Sequence, residues 1–142
     1  MDGKILFSNY DMTTGVSTVC KQTKYGTFTK SVKVAEEDKD IANRFDGCYF
    51  AELKCDIAAY KRKAQNMRER AKGAEHLFWT YTQGKSEKDF KLYTLVTDAW
   101  KRADRARETY KLLQNSYYAL IENTLRQRRE MRERINKKHN KK

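Results

Sequence analysis

The stretch YKRKAQNMRERAKG, Tyr60–Gly73, decides the fold because it supports two readings at once. Six basic side chains stand against one acid, Glu69, which has the look of a nucleic-acid-binding motif. The same residues set Tyr60, Ala64, Met67, Ala71 and then Ala74 at alternating steps of four and three, the seam of a coiled coil.

Followed in both directions, the seam reads Phe50, Leu53, Ile57, Tyr60, Ala64, Met67, Ala71, Ala74, Phe78 and Tyr81. The acids Glu36, Glu37, Asp38 and Asp40 suit the positive end of a helix, so one long helix is predicted over 36–83. Gly47 is expected to loosen its first turns. Gly84, with Ser86 and Asp89 as a capping pair, places a turn at 84–88. A return helix over 89–136 then repeats the steps through Leu92, Val96, Ala99, Ala103, Ala106, Tyr110, Leu113, Tyr117, Leu120 and Thr124, ahead of a basic tail, 137–142. Folded antiparallel, the arms bring Ala71 to Ala99, Met67 to Ala103, Ala64 to Ala106, Tyr60 to Tyr110 and Ile57 to Leu113, so small residues meet small or slender ones and large meet large.

Residues 1–35 carry a different pattern. Thr, Val, Phe and Tyr are frequent, and DMTTG (Asp11–Gly15) and TKYG (Thr23–Gly26) are hairpin turns, which predicts three short strands. In the third, Phe28, Val32 and Val34 share one face, with Lys30 as its polar break. A further apolar stripe at the open base, Ile41, Phe45, Cys48 and Tyr49 with Tyr118, Ile121 and Leu125, is the expected dock for this sheet. The predicted fold class is therefore α+β. It is a single domain over 1–142, with a small three-stranded antiparallel sheet packed on the open base of a long antiparallel two-helix coiled-coil hairpin.

Composition agrees with that shape and narrows the function classes. The chain of 142 residues has no proline and is 35% charged, which favours long helices. A net charge of +12 predicts attraction to phosphate polymers, acidic surfaces or anionic lipid. There is no run long enough to span a membrane and no basic leader, so a cytoplasmic protein is expected. Cys20, Cys48 and Cys55 form no CxxC pair and lie far from His76 and His139, so free thiols are expected, with no metal site and no disulfide. Phosphate loops, nucleophile elbows and zinc-protease motifs are missing from the sequence, so neither catalysis nor a cofactor is expected. Glu36–Asp40, and Glu52 with Asp56 one turn apart, are read as helix-end charge and a solvated helix face.

The basic residues then become the candidate binding set. On the first arm these are Lys61, Arg62, Lys63, Arg68 and Arg70; on the return arm Lys101, Arg102 and Arg105, beside Arg107 and Lys111. Towards the tail they are Arg126, Arg128, Arg129 and Arg132. Like-charge runs repel one another, and contact with phosphate is the expected use, ahead of base reading. Trp100 is expected near Arg70 across the hairpin as a cation–π pair. At the tip, Leu77, Trp79, Phe90 and Tyr93 exceed what a seam needs and are candidates for a partner or homodimer contact.

The segment EDKDIANRFDGCYFAELKCDIAAYKRKAQNMRERAKG, Glu37–Gly73, resembles small accessory proteins of phages and prophages of Gram-positive bacteria. Proteins of this size and setting include anti-CRISPR inhibitors. The resemblance implies a non-enzymatic protein in the host cytoplasm that binds an RNA-guided nuclease or its guide RNA. At +12 the chain is no acidic mimic of DNA. DNA, RNA and protein targets stay open. The competing expectation is a structural or assembly protein that docks or dimerises through its aromatic tip.

Overall fold

The computed structural model describes residues 3–82 and 90–140, with the side chains of 81, 82, 90 and 140 outside the description. Three strands, β1 (Gly3–Asp11), β2 (Val16–Thr23) and β3 (Gly26–Lys33), form an antiparallel meander in the order β1-β2-β3. Both expected turns are present. At the first, Asp11 Oδ1 accepts hydrogen bonds from the Thr13 and Thr14 amides at 2.9 and 3.3 Å, and Gly15 takes a positive φ of 72°. At the second, the Thr23 hydroxyl donates to the Gly26 carbonyl at 2.7 Å, which closes a two-residue loop.

A 3-10 helix, Glu36–Ile41, precedes α1 (Arg44–Thr82), and α2 (Phe90–Asn140) returns antiparallel along it. The long helix thus starts at Arg44 and not at 36. Asn43 is the reason: its Oδ1 accepts the Asp46 amide at 2.8 Å while its Nδ2 donates to Asp46 Oδ2 at 2.9 Å, a reciprocal cap that ends the 3-10 segment and begins α1. The return helix runs on to Asn140, so Lys137 and Lys138 are helical rather than a separate tail. The turn at 84–88, its cap and the Tyr81 side chain lie outside the described residues.

The two helices pack along their seams, although Leu92 of the expected seam is 43% exposed. Phe50, Ala71, Ala103, Ala106 and Tyr117 are buried, Phe50 and Tyr117 stack edge to face at 6.5 Å, and near the tip Phe78 lies 5.9 Å from Tyr93. At 1.5 Å of rise per residue, α1 is roughly 58 Å long and α2 roughly 76 Å.

The sheet docks at the base as expected, but of the expected stripe on α1 only Cys48 meets it, the rest of the contact falling on a row of smaller residues. Its helix-facing row on β2 is Ser17, Val19, Lys21 and Thr23, all buried, and it meets Gly47, Ala51 and Cys55. Phe28, Val32 and Cys48 pack around that core, and the Cys55 thiol donates to the Phe28 carbonyl at 3.3 Å. Burial raises the Cys55 thiol pKa, with the Asp56 charge adding to the effect, so the thiol stays protonated. Of the expected docking stripe, Ile41, Ile121 and Leu125 line a cavity beneath the 3-10 helix, whereas Phe45, at 85% exposure, Tyr49 and Tyr118 remain outside. The physical reason is size. Small side chains at steps of four let a sheet backbone come close, which a row of aromatics does not.

Gly47 therefore acts opposite to expectation, as the point of closest approach. A Cβ at position 47 would overlap Ser17 Oγ and stand 2.9 Å from Ser17 Cβ. In an open helix Gly→Ala stabilises by about 1 kcal/mol. Here Gly47→Ala is expected to destabilise by about 1–3 kcal/mol through overpacking, and adding Ser17→Gly should recover most of the loss. Thermal melts of the three proteins check this; a Gly47→Ala variant more stable than wild type would remove the close-packing account.

Candidate nucleic-acid interface

The alanines that let α1 and α2 approach also leave the ground beside them unfilled. Ala64 and Ala103 line a cavity of about 320 Å³, with Lys61, Gln65 and Arg68 from α1 and Trp100, Asp104, Arg107 and Tyr110 from α2. A second cavity, of about 260 Å³, continues towards the sheet and is lined by Lys30 of β3, Lys54, Ile57, Ala58, Lys61, Tyr110, Gln114, Tyr117 and Tyr118. Lys61 and Tyr110 belong to both, so the two form one groove along the hairpin. Towards the tip a shallow extension carries Gln65, Asn66, Arg68, Glu69 and Lys72.

The groove's charge is one-sided. Lys30, Lys54, Lys61, Arg68 and Arg107 face a single carboxylate, Asp104, within the two cavities. No ion pair neutralises Lys61, Arg68 or Arg107 among the described residues, and Lys54 spends one hydrogen bond, 3.0 Å, on the Ser31 carbonyl. Low-dielectric walls around like charges focus a positive potential. Burial pushes the Tyr117 hydroxyl up to about 12, so the phenol adds no negative charge at neutral pH. Such a groove presents net positive charge with aromatic side chains beside it.

Lys61 and Arg68 are brought together in the groove, joined by Arg107. Lys63 instead sits over the Tyr60 ring at 5.6 Å and Arg62 over the Phe28 ring at 5.7 Å. Arg70, Lys101, Arg102 and Arg105 are exposed and line neither cavity. Trp100 opens beside Lys61 and Arg68 and makes no cation–π contact with Arg70 among the described residues. Leu77, Trp79 and Tyr93 at the tip are more than half exposed, while the Phe90 side chain lies outside the description.

The tail arginines are committed elsewhere. Arg128 grips both oxygens of Asp46 at 3.1 and 3.3 Å, and Arg129 both oxygens of Asp38 at 2.9 and 2.5 Å. Arg132 reaches Asp40 at 2.9 Å and the Glu37 carbonyl at 3.2 Å, and Arg126 donates to Asn123 at 3.1 Å. The acids expected to serve a helix terminus thus clasp the far end of α2. Glu52 and Asp56 do not form a solvated face either: both lie 2.9 Å from the ammonium of Lys21, which is buried on the sheet. Burial works against the Lys21 charge, but hydrogen bonds and attraction from Asp56 and Glu52 outweigh it and raise its pKa.

Lys30, Lys54, Tyr110 and Tyr118 were not singled out as binding residues, yet a signal for the groove is present in the sequence. Lys54, Lys61 and Arg68 are spaced by seven, as are Trp100, Arg107 and Gln114, which puts each set on one flank of its seam. Searches of protein-family models, of curated proteins and of solved structures find no match to this chain.

The clasp predicts a pH dependence. Hydrogen bonding from Arg129, aided by the charges of Arg129 and Arg132, holds the Asp38 carboxyl below the usual carboxylate range in spite of its burial. A depressed carboxylate stabilises the fold above its unfolded pKa of about 3.9, and that contribution is lost as pH falls through the folded value. Asp38→Asn should cost about 1–2 kcal/mol at pH 7, Arg129 being partly exposed, and the gap to wild type should shrink below pH 4. Denaturant titrations at pH 7 and pH 3 read the difference; a gap of equal size at both would refute the clasp as its source.

Proposed function

We propose that the protein is a non-enzymatic nucleic-acid-binding protein whose ligand lies in the groove between α1 and α2. The observation that supports this most is the sorting of charge. Arg128, Arg129, Arg132 and Lys21 are satisfied internally, while Lys61, Arg68 and Arg107 converge on one concave surface with no neutralising partner among the described residues. Contacts of this kind bind the phosphodiester backbone with little regard to sequence. The more specific form of the proposal, an inhibitor that binds an RNA-guided nuclease or its guide RNA, rests on the resemblance of Glu37–Gly73. Among the described residues no helix is long and apolar enough to cross a membrane.

Fluorescence anisotropy with labelled oligonucleotides over a range of salt tests the reading. Replacing Lys61, Arg68 and Arg107 with glutamine should weaken binding and lower the salt slope by about 2–3 units. The same exchange at Arg70, Lys101 and Arg105 should have a smaller effect. Full affinity of the groove variant at every salt concentration would end the proposal. For the inhibitor form, cleavage by a guide-loaded nuclease is followed with the protein added before or after the guide.

A structural or assembly role has one observation in its favour, the exposure of Leu77, Trp79 and Tyr93 near the tip. Light scattering decides its dimeric version: Trp79→Ser with Tyr93→Asp should convert a dimer to a monomer, and a wild type that is already monomeric excludes it.

A further inference from the structure

Resting on that reading, we propose that the groove's occupant is a single strand, RNA or DNA, whose bases stack on Trp100 and Tyr118 while Lys61, Arg68 and Arg107 hold the phosphates between them. Two features lead there, and neither follows from charge alone.

The first is the placement of aromatic side chains that the core does not use. Tyr118 is 55% exposed, its ring tilted against that of Tyr117 at 5.5 Å, and the sheet that was expected to cover it packs instead on Ala51 and Cys55 of α1. Trp100 is partly exposed in the cavity wall, and no partner ring lies against it among the described residues. Both stand on the groove-facing flank of α2, eighteen residues and five helical turns apart, which is roughly 27 Å. Tyr110 lies between them, common to both cavities. A cation row with flat rings at intervals is the construction that binds unpaired bases, because every base has a π-face and stacking tolerates any sequence.

The second is the shape of the space. Packed helices have axes about 8–10 Å apart, so the trough between them is narrower than the ~12 Å major groove of a duplex, let alone the duplex itself. A duplex keeps its bases stacked inside and would ride on the rim, touching cations and leaving the rings unused. A single strand can lay its backbone along the cations and turn its bases down between them, where Ala58, Ala64 and Ala103 are the small residues of the lining. The spacing of Trp100 and Tyr118 suits a site of about four to eight nucleotides.

The test uses the whole protein with Trp79→Phe, which leaves Trp100 as its one tryptophan and does not touch the groove. Twelve-residue oligo(U) and oligo(dT), a duplex of equal length and polyglutamate are each titrated by anisotropy and by Trp100 fluorescence. The expected result is quenching by the single strands, with affinity at least ten-fold above that for the duplex. Trp100→Ala and Tyr118→Ala should each lose about ten-fold in affinity with the salt slope unchanged, since the slope counts phosphates and not rings. RNA or DNA preference decides the natural strand; either supports the proposal. Duplex binding as tight as single-strand binding, with Trp100 fluorescence unaltered, overturns the single-strand assignment and leaves nucleic-acid binding standing. Polyglutamate binding as tightly as the oligonucleotides overturns it too, by showing a site for acidic protein. If nothing binds, this inference and the function beneath it fall together. The fluorescence arm needs no change in the groove, so a folding defect in Trp100→Ala does not blunt the test.

Discussion

The rest of the structure depends on α1 being narrow on two faces at once. Towards α2 it presents Ala64 and Ala71; towards the sheet it presents Gly47, Ala51 and Cys55. Small side chains bury little apolar area each, but they let backbones approach until dispersion contacts and polar anchoring take over. Larger residues at either end then complete the packing, Phe50 against Tyr117 at the base and Phe78 against Tyr93 near the tip. Among the described residues no other element touches both the sheet and α2 so extensively, so any widening of α1 separates the two halves of the molecule.

Charge performs at the base what a larger core would perform elsewhere. The Lys21 ammonium spans Glu52 and Asp56, and the arginines of α2 close on Asp38, Asp40 and Asp46. Removing the partners of Lys21 or Asp38 is the costly change, because these two buried groups would be left desolvated, whereas the arginines stay partly in solvent. These pairs link the sheet to α1 and the 3-10 helix to the end of α2. They also remove several charges from the pool that a ligand would meet. Within the hairpin groove Lys30, Lys54, Lys61, Arg68 and Arg107 face one acid, while Arg70, Lys101, Arg102 and Arg105 carry exposed charge outside it.

The groove and the seam are two consequences of the same alanines. A seam filled with leucine would hold the helices apart and fill the trough with side chains. Alanine brings the helices together, and the long residues on the flanks, Lys61, Arg68, Trp100 and Arg107, become walls around an open floor. The two readings of Tyr60–Gly73 are therefore not rivals. The seam residues shape the space and the flanking residues charge it.

Both helices, their antiparallel pairing, the three strands and both hairpin turns were legible in the sequence, because each is a matter of local periodicity or local turn chemistry. Gly15 and Gly26 mark their turns by backbone freedom, and steps of three and four mark a helix wherever they occur. What periodicity leaves open is which of two apolar faces meets which partner, and that only the tertiary structure decided. Phe45, Tyr49 and Tyr118 look more like a docking surface than Gly47, Ala51 and Cys55, yet close approach favoured the small row. The start of α1 turned on Asn43, whose cap is short-range but competes with the acids before it. Ion pairing is less legible still. Asp38 and Arg129 stand ninety-one residues apart, and nothing in the sequence around either separates a clasped arginine from one that faces a groove. A basic residue's role depends on which carboxylate the folded chain brings within about 4 Å, and that distance exists only in three dimensions.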